Sequence, residues 1–297
     1  MNKKPRKTKK KKGKHLEIKP TAKQSDAYRI LLDTTTDGLL YGGAAGGGKT
    51  WLGCEWLMMM CLKYPGTRYF IGRETLKDIH MSTLLTFFKV FRFHGLPNSW
   101  YKLNSQYNYL EIRNGGKGVA SRIDLLDCKH QPSDPLFERF GSMEFTDGWI
   151  EEAGEVAFGA YDVLKSRVGR CLNDHFKIKA KILLTANPNK GWLYEHFYKR
   201  NKVGELPPEL KYIQALVGDN NYIEDQYQEQ LEKISDPIMR QRLLYGEWEY
   251  EQGDGLMSFD AILDIFKNVV EDEGKRYITA DVARYGSDRA PIWLWKG

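Results

Sequence analysis

The chain alternates between two apolar rhythms. Gly38-Leu-Leu-Tyr41 is a short apolar run that reads as a strand. Thr50 to Tyr64 then carries Leu52, Trp56, Met59 or Met60, and Lys63 at helical spacing, and stops at Pro65-Gly66. Thr67 to Gly72 returns to a strand pattern and Asp78 to Phe93 to a helical one. Upstream, Leu16 to Leu32 reads as a lead-in segment and a helix, with Pro20-Thr21 near its start. Strand, turn, helix, strand is the unit of a parallel α/β sheet with flanking helices.

Farther along, Tyr109 to Arg113 and Arg122 to Leu126 are β-like runs. Between them Asn114-Gly115-Gly116 suits a hairpin turn. Met143 to Ile150 is an apolar stretch closed by Glu151-Glu152, and Lys179 to Thr185 is a lysine-flanked strand running into Ala186-Asn187-Pro188. Ile223 to Tyr245 is polar, amphipathic and helical in pattern, with a break near Asp236-Pro237. Four regions follow from these patterns: a basic tail at 1–17, an α/β domain at 18–250, an acidic glycine-punctuated linker at 251–274, and a new strand-turn-strand at 275–297. No repeat is visible.

Composition narrows the class. With 41% apolar and 13% aromatic residues, global disorder is excluded. The longest apolar run, Trp56 to Leu62, is too short to span a bilayer, and nothing at the start reads as a signal peptide. The net charge of +6 is local: residues 1–14 hold nine of the 45 basic residues and no acid, which leaves 36 bases against 39 acids, about −3, for the rest. Such a run repels itself and builds no core. Two readings stand for it, an arm that releases counterions from nucleic acid and a merely solvated tail. Cys54, Cys61, Cys128 and Cys171 form no C-x-x-C pair and no zinc spacing with the histidines, so free, mostly buried thiols in a reducing compartment are expected.

The chemistry gathers in three places. Every position from Gly42 to Gly48 is Gly or Ala, and Gly43-Ala44-Ala45-Gly46-Gly47-Gly48-Lys49-Thr50 fits G-x-x-x-x-G-K-[ST] between a strand and a helix. In that pattern successive amides point at phosphate oxygens, the lysine reaches the β- and γ-phosphates, and the threonine hydroxyl ligates Mg²⁺. Hydrolysis needs further acids at the end of a neighbouring strand. Glu151 is expected to serve the metal and Glu152 to face the γ-phosphate, because adjacent strand residues point opposite ways. Asp147, four residues back and roughly 13 Å away along a strand, is too far to substitute. Thr185 and Asn187, at the end of the third strand, would place small polar groups at the carboxyl edge where ligands of open α/β sheets bind. A plain strand end before a proline turn is the alternative.

These pieces, in this order, resemble the large terminase subunit of tailed bacteriophages, and the resemblance covers roughly residues 18 to 297. It implies a P-loop NTPase of the RecA-like (ASCE) type, a mostly parallel sheet with flanking helices, followed by the first strands of a truncated RNase H-like domain. Gln24, in KPTAKQSDAYRIL, looks like the family's adenine-contacting glutamine. Arg139 sits where the family places an arginine that reaches a neighbouring subunit's ATP, with Arg167 and Arg170 as competitors. Gly218 through Arg242 to Gly246 and Trp248 resembles the helical lid and its closing G-x-W. Asp281, in Ile278-Thr-Ala-Asp281, is similar to a metal-binding aspartate of the nuclease. Glu151 stands where the family more often carries aspartate. A lone Asp281 cannot hold a two-metal site, so no DNA cleavage is expected of this chain.

The resemblance further implies ATP and Mg²⁺ as cofactors and double-stranded DNA, the portal protein and the small terminase subunit as partners. A homo-oligomeric ring works during packaging, no membrane is involved, and the setting is the cytoplasm of an infected bacterial host, transiently docked on the procapsid. The expected function is an ATP-hydrolysing motor that moves viral DNA into a procapsid. Competing readings are a helicase-like or recombination ATPase, a small-molecule kinase, and, more remotely, a nucleotide switch.

Overall fold

The computed structural model describes residues 18–250, 259–265, 274–281 and 291–296. The basic tail, most of the acidic linker and residues 282–290, where the sequence pattern suggested a turn, lie outside these residues. The chain divides into two compact units, Met1–Tyr250 and Glu251–Gly297.

In the first unit, α1 (Ala22–Leu31) is followed by β1 (Gly38–Gly43), α2 (Lys49–Lys63) and β2 (Arg68–Arg73). A short α3 (Leu76–Asp78) passes through a π-helical turn, Ile79–Thr83, into α4 (Leu84–Phe93). A meander of β3 (Tyr101–Asn104), β4 (Tyr109–Ile112) and β5 (Ser121–Asp127) precedes β6 (Asp147–Ile150), α5 (Phe158–Lys165), the single turn α6 (Asn173–Phe176) and β7 (Ile182–Ala186). A second π turn at Tyr194–Tyr198, α7 (Lys199–Lys202) and β8 (Leu210–Ala215) lead to α8 (Asp225–Glu232) and α9 (Pro237–Leu243). The second unit holds α10 (Phe259–Ile265) and an antiparallel ribbon of β9 (Arg276–Ala280) and β10 (Ile292–Lys296).

Eight strands form one sheet in the order β3-β4-β5-β2-β6-β7-β1-β8. All pairings from β5 to β8 are parallel, and the β3-β4-β5 meander is antiparallel, as the Asn114–Gly116 turn suggested. β1 is buried along its whole length, the mark of a parallel sheet covered on both faces. Leu39, Tyr41, Tyr69, Ile71, Ile123, Leu125, Trp149 and Leu183 join α1, α2 and α4 in one core, and the alternate residues Leu40, Phe70, Ile150 and Leu184 are buried toward the other face. Trp56, Met58, Met60 and Cys61 pack in that first core behind the glycine-rich turn. Cys54, Cys61 and Cys128 are buried free thiols.

Three local features differ from the sequence pattern. The helix expected over Asp78 to Phe93 is interrupted by the π turn, which brings Thr83 into the sheet's carboxyl edge. β3 and β8 carry no strong apolar alternation because both are edge strands, only partly buried. No described helix is long and apolar enough to cross a membrane.

Candidate functional site

Strands β6, β7 and β1 lie side by side and parallel, so their carboxyl ends open on one edge. That edge gathers the glycine-rich loop after β1, the acid pair after β6 and Asn187 after β7.

The loop is shaped by close backbone contact. Gly43 adopts φ +142°, and a Cβ there would lie 2.2 Å from the Ala215 carbonyl oxygen, so only glycine lets β1 pass β8 at this point. The Ala44 amide donates to the Ala215 carbonyl (2.9 Å) and the Ala45 amide to the Leu243 carbonyl (2.8 Å). Both amides are therefore bonded within the protein here, while the backbone from Gly46 onward borders a cavity. Beyond Gly46, Lys49 and Thr50 open α2, whose first-turn amides have no helical partner. The cavity, of about 760 Å³, lies over them, lined by Gly46, Gly48, Lys49, Thr50, Glu152 and Asn187 among others.

Lys49 is buried, and its ammonium donates to the carbonyls of Gly43 (3.3 Å) and Ala44 (2.5 Å) and to Asn187 Oδ1 (3.0 Å). Burial pushes its pKa down to about 8, against the pull of Glu152 and Glu151. Glu151 is 2% exposed, accepts from the Thr83 hydroxyl, and lies 3.8 Å from Arg73 Nη1. Burial raises its carboxyl above the usual range, and burial followed by Glu151 does the same to Glu152 despite nearby Lys49. Burial thus outweighs pairing for all three groups, leaving a site short of charge compensation.

Glu152 is not aimed by strand alternation. β6 ends at Ile150, and Glu152 takes a left-handed backbone, φ +46°, rare for a residue with a side chain. This conformation turns its carboxylate toward Asn187, whose Nδ2 donates to Oε1 and Oε2 at 3.4 and 3.3 Å. One amide thus joins Lys49 to Glu152. Asp147 stands at the opposite end of β6, buried, accepting from the Lys181 amide (2.9 Å), with burial pushing its pKa up to about 7.

Thr185 is buried. Its hydroxyl accepts from Trp149 Nε1 (2.9 Å), a bond that ties β6 to β7, and it is not among the residues lining the cavity. Gln24 has two tasks: it closes a capping box with Thr21 at the start of α1, and its Nε2 donates to the Gly48 carbonyl (3.1 Å). Beside it lies a smaller cavity of about 300 Å³, walled by Trp51, Phe93 and Tyr222 with Gln24, Glu55 and Asn220.

Arg139 is held within its own loop. Its guanidinium bonds Asp134 (2.7 Å) and the carbonyls of Lys129 (2.6 Å) and Asp127 (3.3 Å), and lies over the Phe140 ring. Arg167 and Arg170 lie at the amino end of β6, Arg167 on the Gly141 carbonyl and Arg170 3.6 Å from Glu144. Asp281 is exposed at the end of β9, its amide donating to Pro291. Among the described residues, no three His, Cys, Asp or Glu side chains cluster as a metal site, so the ribbon assembles no ligand set around Asp281.

Thr83, Arg73 and Glu55 gave no sequence signal, and Asn220, Gly246 and Trp248 stood out only within the stretch that resembles a lid. Thr83 arrives by the π turn and Arg73 from the end of β2. Asn220 donates to the Gly46 carbonyl (2.6 Å) from the segment before α8. Glu55 accepts from Tyr28 and pairs with His94 (2.6 Å) below the smaller cavity. Gly246, at φ +64°, packs its bare Cα on the loop; a Cβ would lie 2.8 Å from the Ala44 nitrogen. Trp248 is buried against Tyr198, ring centroids 5.5 Å apart.

Residues 37–241 match the family described as "Phage terminase large subunit". No curated protein matches the chain. Solved structures share the fold at low identity. The large terminase of a thermophilic bacteriophage, in complex with ADP, is 17% identical, with a TM-score of 0.63, over 93% of this chain and 65% of that one. The Thermus phage P74-26 large terminase ATPase domain is 13% identical, with a TM-score of 0.57, over 77% of this chain and 94% of that one. The HK97 bacteriophage large terminase is 11% identical, with a TM-score of 0.58, over 94% and 63%. This chain thus spans only 65% of the length of the thermophilic phage's terminase.

Proposed function

Because this chain belongs to the phage terminase large subunit family, matched over residues 37–241, we propose that it is the ATP-hydrolysing motor subunit that drives double-stranded viral DNA into a procapsid. One observation carries the chemistry: the Asn187 amide links Lys49, beside the phosphate loop, to Glu152, within one cavity.

The residues divide the work. Amides from Gly46 onward, at the start of α2, hold phosphate oxygens, and Lys49 neutralises them. Thr50, in the first turn of α2, and Glu151, just past β6, supply the hard oxygen donors that suit Mg²⁺ shared with phosphates. That ion would offset charge on the transferring phosphoryl group. Glu152, its carboxyl raised by burial, orients the attacking water and is held in aim by Asn187. The smaller cavity beside Gln24, with its three aromatic walls, receives the base. ADP and ATP-γ-S complexes of the thermophilic phage's terminase support nucleotide as the ligand of this fold.

We read the sheet as RecA-like, with β7 lying between the cradle strand β1 and the acid strand β6. The β9–β10 ribbon we read as the opening of an RNase H-like domain, to which we assign no cleavage. In this proposal subunits form a ring with the portal protein and the small terminase subunit, in the host cytoplasm on the procapsid. Arg139 must release Asp134 before it can serve a neighbour there.

The test is phosphate release with Mg-ATP, with and without DNA, for the wild-type chain and Glu152→Gln. The variant is expected to bind ATP and to turn over on the order of a hundredfold more slowly. Equal rates would remove Glu152 from the chemistry and the motor assignment with it.

A further inference from the structure

The last turn of α9 touches two loops at once. The Leu243 carbonyl accepts from the Ala45 amide of the phosphate loop (2.8 Å), and the adjacent Arg242 donates from Nε to the Pro188 carbonyl (2.7 Å). These loops leave β1 and β7, which are neighbours in the sheet. Arg242 is half-buried, lies over the Tyr250 ring (5.3 Å), and lines a cavity of about 180 Å³ with Glu152, Glu155, Asn187 and Asn189.

The link from Pro188 to Asn187 is stiff. Proline fixes its own φ, and the residue before a proline is confined to extended backbone. Of the backbone torsions between them, ψ of Pro188 alone stays soft, so much of a shift of the Pro188 carbonyl passes to Asn187. Asn187 in turn is the residue whose amide meets both Lys49 and Glu152. Two adjacent residues of α9 thus hold the two loops that carry the lysine and its bridge.

We propose that Arg242 is a positioning residue for hydrolysis: by holding the Pro188 carbonyl it sets the Asn187 amide, and through it makes the alignment of Lys49 and Glu152 depend on how α9 is seated. The proposal rests on the hydrolytic reading given above. The Leu243 carbonyl bond, with Leu243 and Leu244 packed against Ala44 and Ala45, seats α9 on the phosphate loop without Arg242, so loss of the Arg242 bond should spoil alignment without unseating the helix.

The experiment is a double-mutant cycle on the 297-residue chain, comparing wild type, Arg242→Met, Asn187→Ala and the double variant. Steady-state phosphate release and affinity for a non-hydrolysable ATP analogue are both measured. Arg242→Met is expected to lower kcat on the order of ten- to a hundredfold, the cost of a small misplacement at a reacting centre. Analogue affinity should stay within about twofold, as for a change felt only in the transition state. The double variant should be no slower than Asn187→Ala alone, and Arg242→Lys, which can still donate to the carbonyl, should recover part of the rate. Multiplying effects in the double variant, or a loss of analogue binding that matches the loss of rate, overturns the proposal. Glu152→Gln separates the two ideas. If it is fully active, the hydrolytic reading falls; if it is inactive while the cycle is additive, only the role of Arg242 falls.

Discussion

The same parallel strands carry charged residues at both ends, and the two ends treat charge in opposite ways. At the amino end, Lys181 is buried yet donates to Asp33 (2.7 Å) and the Thr36 carbonyl (2.6 Å). Although burial acts the other way, the Lys181 and Thr36 bonds hold the Asp33 carboxyl well below the usual carboxylate range. Lys179 and Asp37 pair beside them at 2.6 Å. At the carboxyl end, Lys49, Glu151 and Glu152 are all driven toward neutrality by burial, and Glu152 has a left-handed backbone. Arg73 Nε finds no partner there among the described residues. Asp147 is the exception at the amino end, raised by burial while accepting only from backbone. One end spends its charges on holding strands together, and the other keeps them poorly compensated beside a cavity. Perturbed titratable groups grouped in this way mark the chemical end of the sheet.

The sharpest way to break this contrast is to remove one lysine from each end. Lys49→Met is expected to abolish nucleotide binding, measured by titration with a fluorescent ATP analogue, while urea unfolding shifts by no more than about 1 kcal/mol, because relief of the burial cost of its charge offsets the bonds it loses. Lys181→Met should leave analogue affinity unchanged and cost about 1–3 kcal/mol in the same unfolding experiment, since it strips buried oxygens of their donor. If the two variants behave alike, the division between the ends is wrong.

A pH series sharpens the carboxyl end. The charged form of Lys49 binds phosphate, and burial brings its pKa to about 8, below the ordinary 10.5. Analogue affinity should therefore hold steady below pH 8 and fall above it, approaching about tenfold per pH unit. A flat profile from pH 7 to 9 would show that the lysine keeps its charge. The smallest effect concerns Thr185→Val, which strands the Trp149 indole N–H in the core. We expect about 1–2 kcal/mol of lost stability and unchanged nucleotide affinity.

Much of the α/β framework is legible in the sequence because β1, β2, β6 and β7 are central strands whose apolar runs are continuous. β3 and β8 escape notice because edge strands share one face with water and mix Lys211 and Gln214 among apolar residues. The glycine loop and the paired glutamates stand out because each is one contiguous run. Asn187 emerges from a strand end, but nothing local tells it apart from Thr185, two residues earlier, whose hydroxyl is taken by Trp149. That distinction is made by a residue on another strand. The same holds for Thr83, Asn220 and Arg242, which reach the site through a π turn, the segment before α8 and the end of α9. Contacts between residues so far apart leave no period to read. The aim of Glu152 depends on a single positive φ, which no side-chain pattern announces.

The three bonds of Lys49 bear on how quickly the proposed motor would cycle. Its three N–H donors already have acceptors on Gly43, Ala44 and Asn187. A phosphate arriving at this ammonium exchanges one set of oxygens for another, so the net gain is smaller than the bare attraction. On departure, the spent nucleotide hands the lysine back to acceptors within reach, and no stranded cation holds the product in place. In the proposed function the loop would thereby trade tightness of grip for speed of release, which suits a machine that fires again after every step.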